Sequence, residues 1–136
     1  MKVKLDAGAI APTKAHETDA GFDLYSREDK VIHGKSNACF DTGVHMELPE
    51  GTCGVLMSKS GLNVKYDILS TGLIDEGYTG SIVVKLYNEG IRPYTVRKGD
   101  KISQLVLMPY VKTPIEIVDS LSSTDRGDAG FGSSGK

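Results

Sequence analysis

Tryptophan is absent from this 136-residue chain, there are two cysteines, and no long apolar run occurs anywhere. The missing tryptophan decides nothing, but the other shortages do. Cys39 and Cys53 lack the paired spacing of zinc ligands and are too few for a disulfide framework, so they read as small buried hydrophobes. Lys2, Lys4 and Asp6 interrupt the opening residues, where a secretory leader would need an apolar stretch. Without a run near twenty apolar residues, no membrane-spanning helix is expected. Basic residues are not in excess either: the formal net charge is -2, and lysines and arginines are scattered. That argues against nucleic acid and polybasic membrane contacts as partners. A cytoplasmic, reducing location is the resulting expectation.

What is present is glycine, 16 residues of it, between short β-branched runs. Residues 3–5, 20–25, 31–32, 35–40, 42–48, 52–57, 82–87, 94–96, 102–107 and 115–118 all read as strands. This is one all-β domain, and so many short strands suit a jelly roll or barrel. The single break is at residues 58–66, where Ser58 or Ser60 suits a helix N-cap and residues 62–66 a turn or two of helix. From Ser120 onward little remains to bury except Leu121 and Phe131, which predicts a tail disordered on its own.

The chemistry-bearing residues gather in five stretches. Residues 72–88 read as two strands joined by a tight hairpin turn that carries Asp75 and Tyr78. Such a turn can present an acid, an aromatic face and free main-chain groups to a flat polar ligand. Asp23, opposite Phe22 and Leu24 on its strand, reads by itself as a surface acid. Lys59, Ser60 and Gly61 at a helix start suit an anion. Gln104 is a polar side chain in an apolar strand and needs a partner if buried. Arg126, Gly132, Ser133 and Ser134 have the makings of a phosphate cradle, with Phe131 free to stack on a base. His16, His33 and His45 fit no catalytic pattern and read as surface or turn residues.

In their order and separations, residues 20–26, 58–62, 72–88, 98–107 and 126–135 closely resemble the five motifs of the trimeric dUTPases. The resemblance covers essentially the whole chain. It implies a distorted jelly-roll subunit with one short helix (residues 1–119), a homotrimer, and a flexible C-terminal arm (residues 120–136) that closes over a neighbouring subunit's site. The implied reaction is hydrolysis of dUTP to dUMP and pyrophosphate, which keeps uracil out of DNA and supplies dUMP for thymidylate synthesis. Asp75 would be the general base that activates water for attack at the α-phosphorus. A carboxylate is a weak base, so positioning must supply much of the rate. Tyr78 would pack under the deoxyribose and reject a 2′-hydroxyl, while uracil would pair with main-chain groups near Gly72 and Ile74. Ser60 and Gly61, with Lys59 nearby, would hold the α- and β-phosphates, and Gln104 would reach the phosphates as well. Arg126, Gly132, Ser133 and Ser134 would take the γ-phosphate, and Phe131 would cover the uracil. Mg²⁺ would be chelated mainly by the phosphates, with Asp23 reaching it through water.

Three residues depart from the family pattern. Lys59 and Lys101 stand where arginine is common, so a forked contact becomes a point charge. Ala129 replaces a glycine in the arm. Two other readings are weaker. A dCTP deaminase of the same fold would need a glutamate acid/base and an arginine-rich second motif, and neither is seen. An interaction protein, like phage-borne relatives that bind a regulatory protein partner, could coexist with catalysis.

Overall fold

The computed structural model describes residues 1–130. Its longest strand, β10 (Lys101–Pro109), organises the main sheet by pairing antiparallel with β2 (Gly21–Tyr25) on one edge and β6 (Thr52–Met57) on the other. Beyond β6 follow β7 (Ile68–Ile74), β8 (Val83–Asn88) and β4 (Ser36–Asp41), giving the order β2-β10-β6-β7-β8-β4. Two small sheets pair β1 (Lys2–Leu5) with β5 (Val44–Glu47), and β3 (Lys30–Ile32) with β9 (Tyr94–Val96). The fold is all-β, a curled jelly-roll sheet with one short helix, α1 (Ser60–Tyr66).

Period-two alternation sets the core. In β8, Val84, Leu86 and Asn88 point inward, while Val83, Lys85 and Tyr87 do not. Leu24, Phe40, Val44, Val84, Leu86, Val96 and Leu105 are fully buried around one cluster. The buried amide of Asn88 is satisfied: its Nδ2 donates to the carbonyls of Ile32 (3.0 Å) and Arg92 (2.8 Å), which ties β8 to the β3–β9 sheet.

Several sequence expectations need correction. The stretch after β7 is no tight hairpin: β7 pairs with β8 only through Ile68–Asn88, Leu69–Tyr87 and Ser70–Leu86. Further along, residues 71–74 pair with β6 and residues 83–85 with β4, so the two strands fork apart. Neither serine caps α1 with its side chain; the N-cap is Lys59, and Ser58 Oγ instead bonds the backbone of Ser70. The two cysteines are not buried: Cys39 is exposed and Cys53 half-buried, on strand faces that the core does not cover. Residues 115–118 form no strand, and Ile115 and Ile117 are 93% and 95% exposed, because their alternation finds no partner strand among the described residues. No helix among the described residues is long and apolar enough to cross a membrane.

Candidate active site

The residues predicted to act together fall into two groups at opposite ends of β6 and β7. The first is the turn of residues 75–81. Asp75 is exposed, and its carbonyl accepts a hydrogen bond from Tyr78 N (3.0 Å). Tyr78 lies along the turn with its Oη donating to the Ser81 carbonyl (3.0 Å), 45% exposed. The ring so covers Gly80 that a Cβ there would come within 2.5 Å of Cζ.

Side chains from three other elements pin this turn. Ser81 Oγ bonds Asp41, whose carboxylate also accepts from Gly43 N (3.0 Å) and Arg27 Nη2 (2.5 Å). The Ser81 hydroxyl above all, then Gly43 N and Arg27, hold the Asp41 carboxyl below its usual range. His45 Nδ1 lies 2.8 Å from the Thr79 carbonyl, which can only accept, so that nitrogen carries the proton. His45 Nε2 is 3.2 Å from Asp6 Oδ1, close enough for an ion pair but without hydrogen-bond alignment. The Thr79 carbonyl first, then Asp6, raise the imidazole's pKa. Glu76 accepts from Tyr110 Oη (2.6 Å), Gly51 N (3.0 Å) and Lys112 Nζ (3.1 Å). These donors, Tyr110 foremost, bring its carboxyl down to about 2.

Beside the turn, the fork between β7 and β8 leaves a slot. Residues 71–74 are paired to β6 on one edge, and among the described residues no strand pairs with the other. Gly72 and Ile74 therefore border main-chain groups available to a flat ligand, while the Ile74 side chain itself is buried in the core. Gly72 is close-packed: a Cβ there would lie 3.1 Å from Leu56 Cδ1.

The second group is polar and centred on Asp23, which is buried rather than a surface acid, at 4% exposure. Strand β2 turns it toward two lysines that bring their charge to it: Lys101 Nζ lies 2.8 Å from Oδ2, and Lys59 Nζ bonds Oδ1. Burial opposes ionisation, but hydrogen bonds from Lys101 and Lys59 outweigh it and lower the carboxyl's pKa. Gln104 sits opposite Asp23 in the β10–β2 register and donates through Nε2 to the Ser58 carbonyl (3.0 Å). Ser60 and Gly61 open α1 nearby, both exposed, with nothing within 4 Å of a Cβ at Gly61.

Met57 pairs with Thr71, so Asp75 lies four residues further along β7, roughly 14 Å from the Lys59 end of β6. One chain does not bring the turn and the polar cluster together. Arg126 is exposed and its Nε donates to the Ala129 carbonyl (3.0 Å), within its own segment. Phe131, Gly132, Ser133 and Ser134 lie outside the described residues.

As for Mg²⁺, no group of three or more His, Cys, Asp or Glu side chains able to hold a metal ion occurs among the described residues. The donor chemistry at Asp23 is one buried carboxylate flanked by two ammonium groups. That set suits a hard cation carried largely by a polyphosphate rather than a protein cage.

Sequence reasoning passed over Glu76, Asp41 and Ser81, and read Ser58 as a helix cap rather than a tie to Ser70. Glu76 adjoins Asp75, but Tyr110 and Lys112 arrive from the end of β10, and no local pattern announces that meeting.

The sequence matches the dUTPase family profile over residues 7–135. It is 47% identical to the deoxyuridine 5′-triphosphate nucleotidohydrolase of Clostridium acetobutylicum, over 97% of this chain and 93% of that one. The enzyme of the same description from Eremothecium gossypii is 41% identical over 99% of this chain and 90% of its own. Among solved structures, the Staphylococcus bacteriophage 80alpha dUTPase with dUpNHpp superposes with a TM-score of 0.91 at 32% identity, covering 99% of this chain and 98% of that chain. A mutant dUTPase of S. aureus phage phi11, described as coordinating a structural Mg(II) ion, gives 0.80 at 30% identity over 88% and 96%.

Proposed function

This chain belongs to the dUTPase family of hydrolases, and from that premise we propose that it cleaves dUTP to dUMP and pyrophosphate by attack of an Asp75-activated water on the α-phosphorus. The observation that carries the reading is the turn of residues 75–81: an exposed carboxylate held on a rigidly anchored loop, with Tyr78 laid alongside. Asp75 accepts the proton of the attacking water. Tyr78 offers its face to the sugar and leaves no room for a 2′-hydroxyl. The slot bordered by Gly72 and Ile74 pairs the uracil edge through main-chain donors and acceptors, which disfavours cytosine.

Lys59, Ser60, Gly61 and Gln104 receive the α- and β-phosphates, with Lys59 and Lys101 exchanging Asp23 for phosphate oxygens when substrate arrives. Asp23, so released, would hold the Mg²⁺ carried by the triphosphate through water, and the ion would supply screening of the phosphate charge. Arg126, with Phe131, Gly132, Ser133 and Ser134, belongs to an arm of residues 120–136 that covers the γ-phosphate and base.

The distance between Asp75 and the polar cluster supports a site shared between chains, and the exposed Ile115, Ile117 and Leu121 (88%) supply apolar surface for an assembly, here a homotrimer. Two free thiols fit a reducing cytoplasm. A role in binding a regulatory protein draws only on likeness to the phage enzymes, so catalysis is preferred.

The test is pyrophosphate release from dUTP, UTP, dCTP and dTTP with Mg²⁺. dUTP alone should turn over, and Asp75→Asn should lower kcat by about 10²–10⁴-fold while nucleotide still binds. Turnover of dCTP to a deaminated product, or an Asp75→Asn enzyme as fast as wild type, would sink the reading.

A further inference from the structure

Glu76 adjoins Asp75 on the turn, and its carboxylate gathers three donors from two distant parts of the chain. Gly51 N comes from the turn before β6, while Tyr110 Oη and Lys112 Nζ come from the segment that follows β10. Tyr110 is itself fixed, because its backbone N donates to the Gly51 carbonyl (3.1 Å). Gly51, Tyr110 and Glu76 thus form a closed triangle. Beyond Lys112, every described residue is exposed and no hydrogen bond returns to the sheet.

We propose that Glu76 is a positioning residue for Asp75: its carboxylate ties the turn bearing Asp75 to the root of the C-terminal segment, and so fixes both the water-activating group and the point from which the arm departs. The proposal rests on the dUTPase reading of the site. Its physical basis is the cost of misplacement. A reacting group one peptide bond from an anchor moves with that anchor, and shifts near 1 Å can cost about a hundredfold in rate. The other pins, His45 on Thr79 and Asp41 on Ser81, hold the far side of the turn; on the near side the β6–β7 ladder ends at Ile74, and Glu76 holds the chain on the other flank of Asp75. Ionisation of Glu76 persists through the neutral range, since its donors bring its carboxyl down to about 2.

Steady-state kinetics on the full chain test this with Glu76→Ala, Glu76→Gln and Tyr110→Phe. Glu76→Ala should lower kcat at least about tenfold with KM for dUTP little changed, the signature of a misplaced reacting group rather than lost substrate contacts. Glu76→Gln keeps one oxygen for Tyr110 and Gly51 and should recover much of that loss. Tyr110→Phe alters nothing on the turn itself, yet should lower kcat in the same direction. Combining it with Glu76→Ala should add little, because both remove one anchor. Hydrogen exchange at the amide of Tyr78 should quicken in the same variants. Wild-type turnover with kcat undiminished in Glu76→Ala and Tyr110→Phe overturns the positioning role alone. A wild-type protein that does not hydrolyse dUTP overturns the reading of function, and the positioning role with it.

Discussion

Gly21 and Gln104 are fitted to each other across the β2–β10 ladder: a Cβ at Gly21 would stand 2.6 Å from Gln104 Oε1 and 3.0 Å from its Cβ. The glycine is there for space, not for backbone conformation. It leaves room beside β2 for the Gln104 side chain, whose Nε2 reaches the Ser58 carbonyl at the start of the loop that leads into α1. One missing side chain on β2 therefore sets the direction of a side chain on β10 and braces a loop beyond β6.

Gly21→Ala should consequently act on substrate affinity as well as on stability. Overpacking a closely filled position costs about 1–3 kcal/mol. If the displaced Gln104 is a phosphate ligand, KM for dUTP should rise about ten- to a hundredfold, the loss of one hydrogen bond to a charged group. Denaturant unfolding and KM measured on Gly21→Ala, Gln104→Ala and the double variant check this. The double variant should regain part of the stability lost by Gly21→Ala. A Gly21→Ala enzyme that keeps wild-type KM would mean that Gln104 has no part in holding substrate.

The strands were legible because alternation is local, and β8 shows why: each inward residue is apolar or, at Asn88, fully bonded. Pairing is not local. Residues 72–88 carry the composition of a hairpin, but the β7–β8 ladder stops at Ser70–Leu86, while β6 on the far edge of β7 and β4 on the far edge of β8 carry each strand on without the other. Asp23 reads as a surface acid because neither neighbour in sequence reveals Lys59 or Lys101, brought to it by β6 and β10. Residues 115–118 give the same alternation signal as true strands, but within the described chain that signal has no partner to answer it. The residue types of the site were thus visible early, while their division into two separated groups was not.

The lysine clasp on Asp23 sets a pH window for stability. The Asp23 carboxyl is held below its unfolded value, so its contribution is complete above about pH 4 and disappears as pH falls through the lower folded value. Lys101 is shifted the other way, upward, chiefly by its hydrogen bond to Asp23. Its contribution is complete below about pH 10 and fades as pH rises through the higher folded value. Thermal unfolding followed from pH 2 to 11 should show Asp23→Asn flattening the acid limb and Lys101→Met the alkaline limb. Because Glu76 also loses its charge in acid, at about 2, the acid limb should be compared in a Glu76→Ala background. Unchanged limbs in both variants would show that the clasp contributes nothing to folding.

If the turn of one chain meets the polar cluster of another, two impaired proteins should rescue each other when assayed at dUTP concentrations well below the KM of the Gln104→Ala chain. The separation of Asp75 from the Lys59 end of β6, roughly 14 Å along β7, cannot be closed by side-chain rotation. Chains carrying Asp75→Asn retain an intact Lys59–Gln104 face, and chains carrying Gln104→Ala retain an intact turn. In co-expressed mixed oligomers, random assembly pairs an intact turn with an intact face at about a quarter of the sites, so activity should return to near a quarter of wild type. Each parent alone should stay low, and mixing the purified proteins without subunit exchange should give only their average. If co-assembled oligomers also give only that average, the site is completed within a single chain, and the turn must travel along β7 to reach the phosphates.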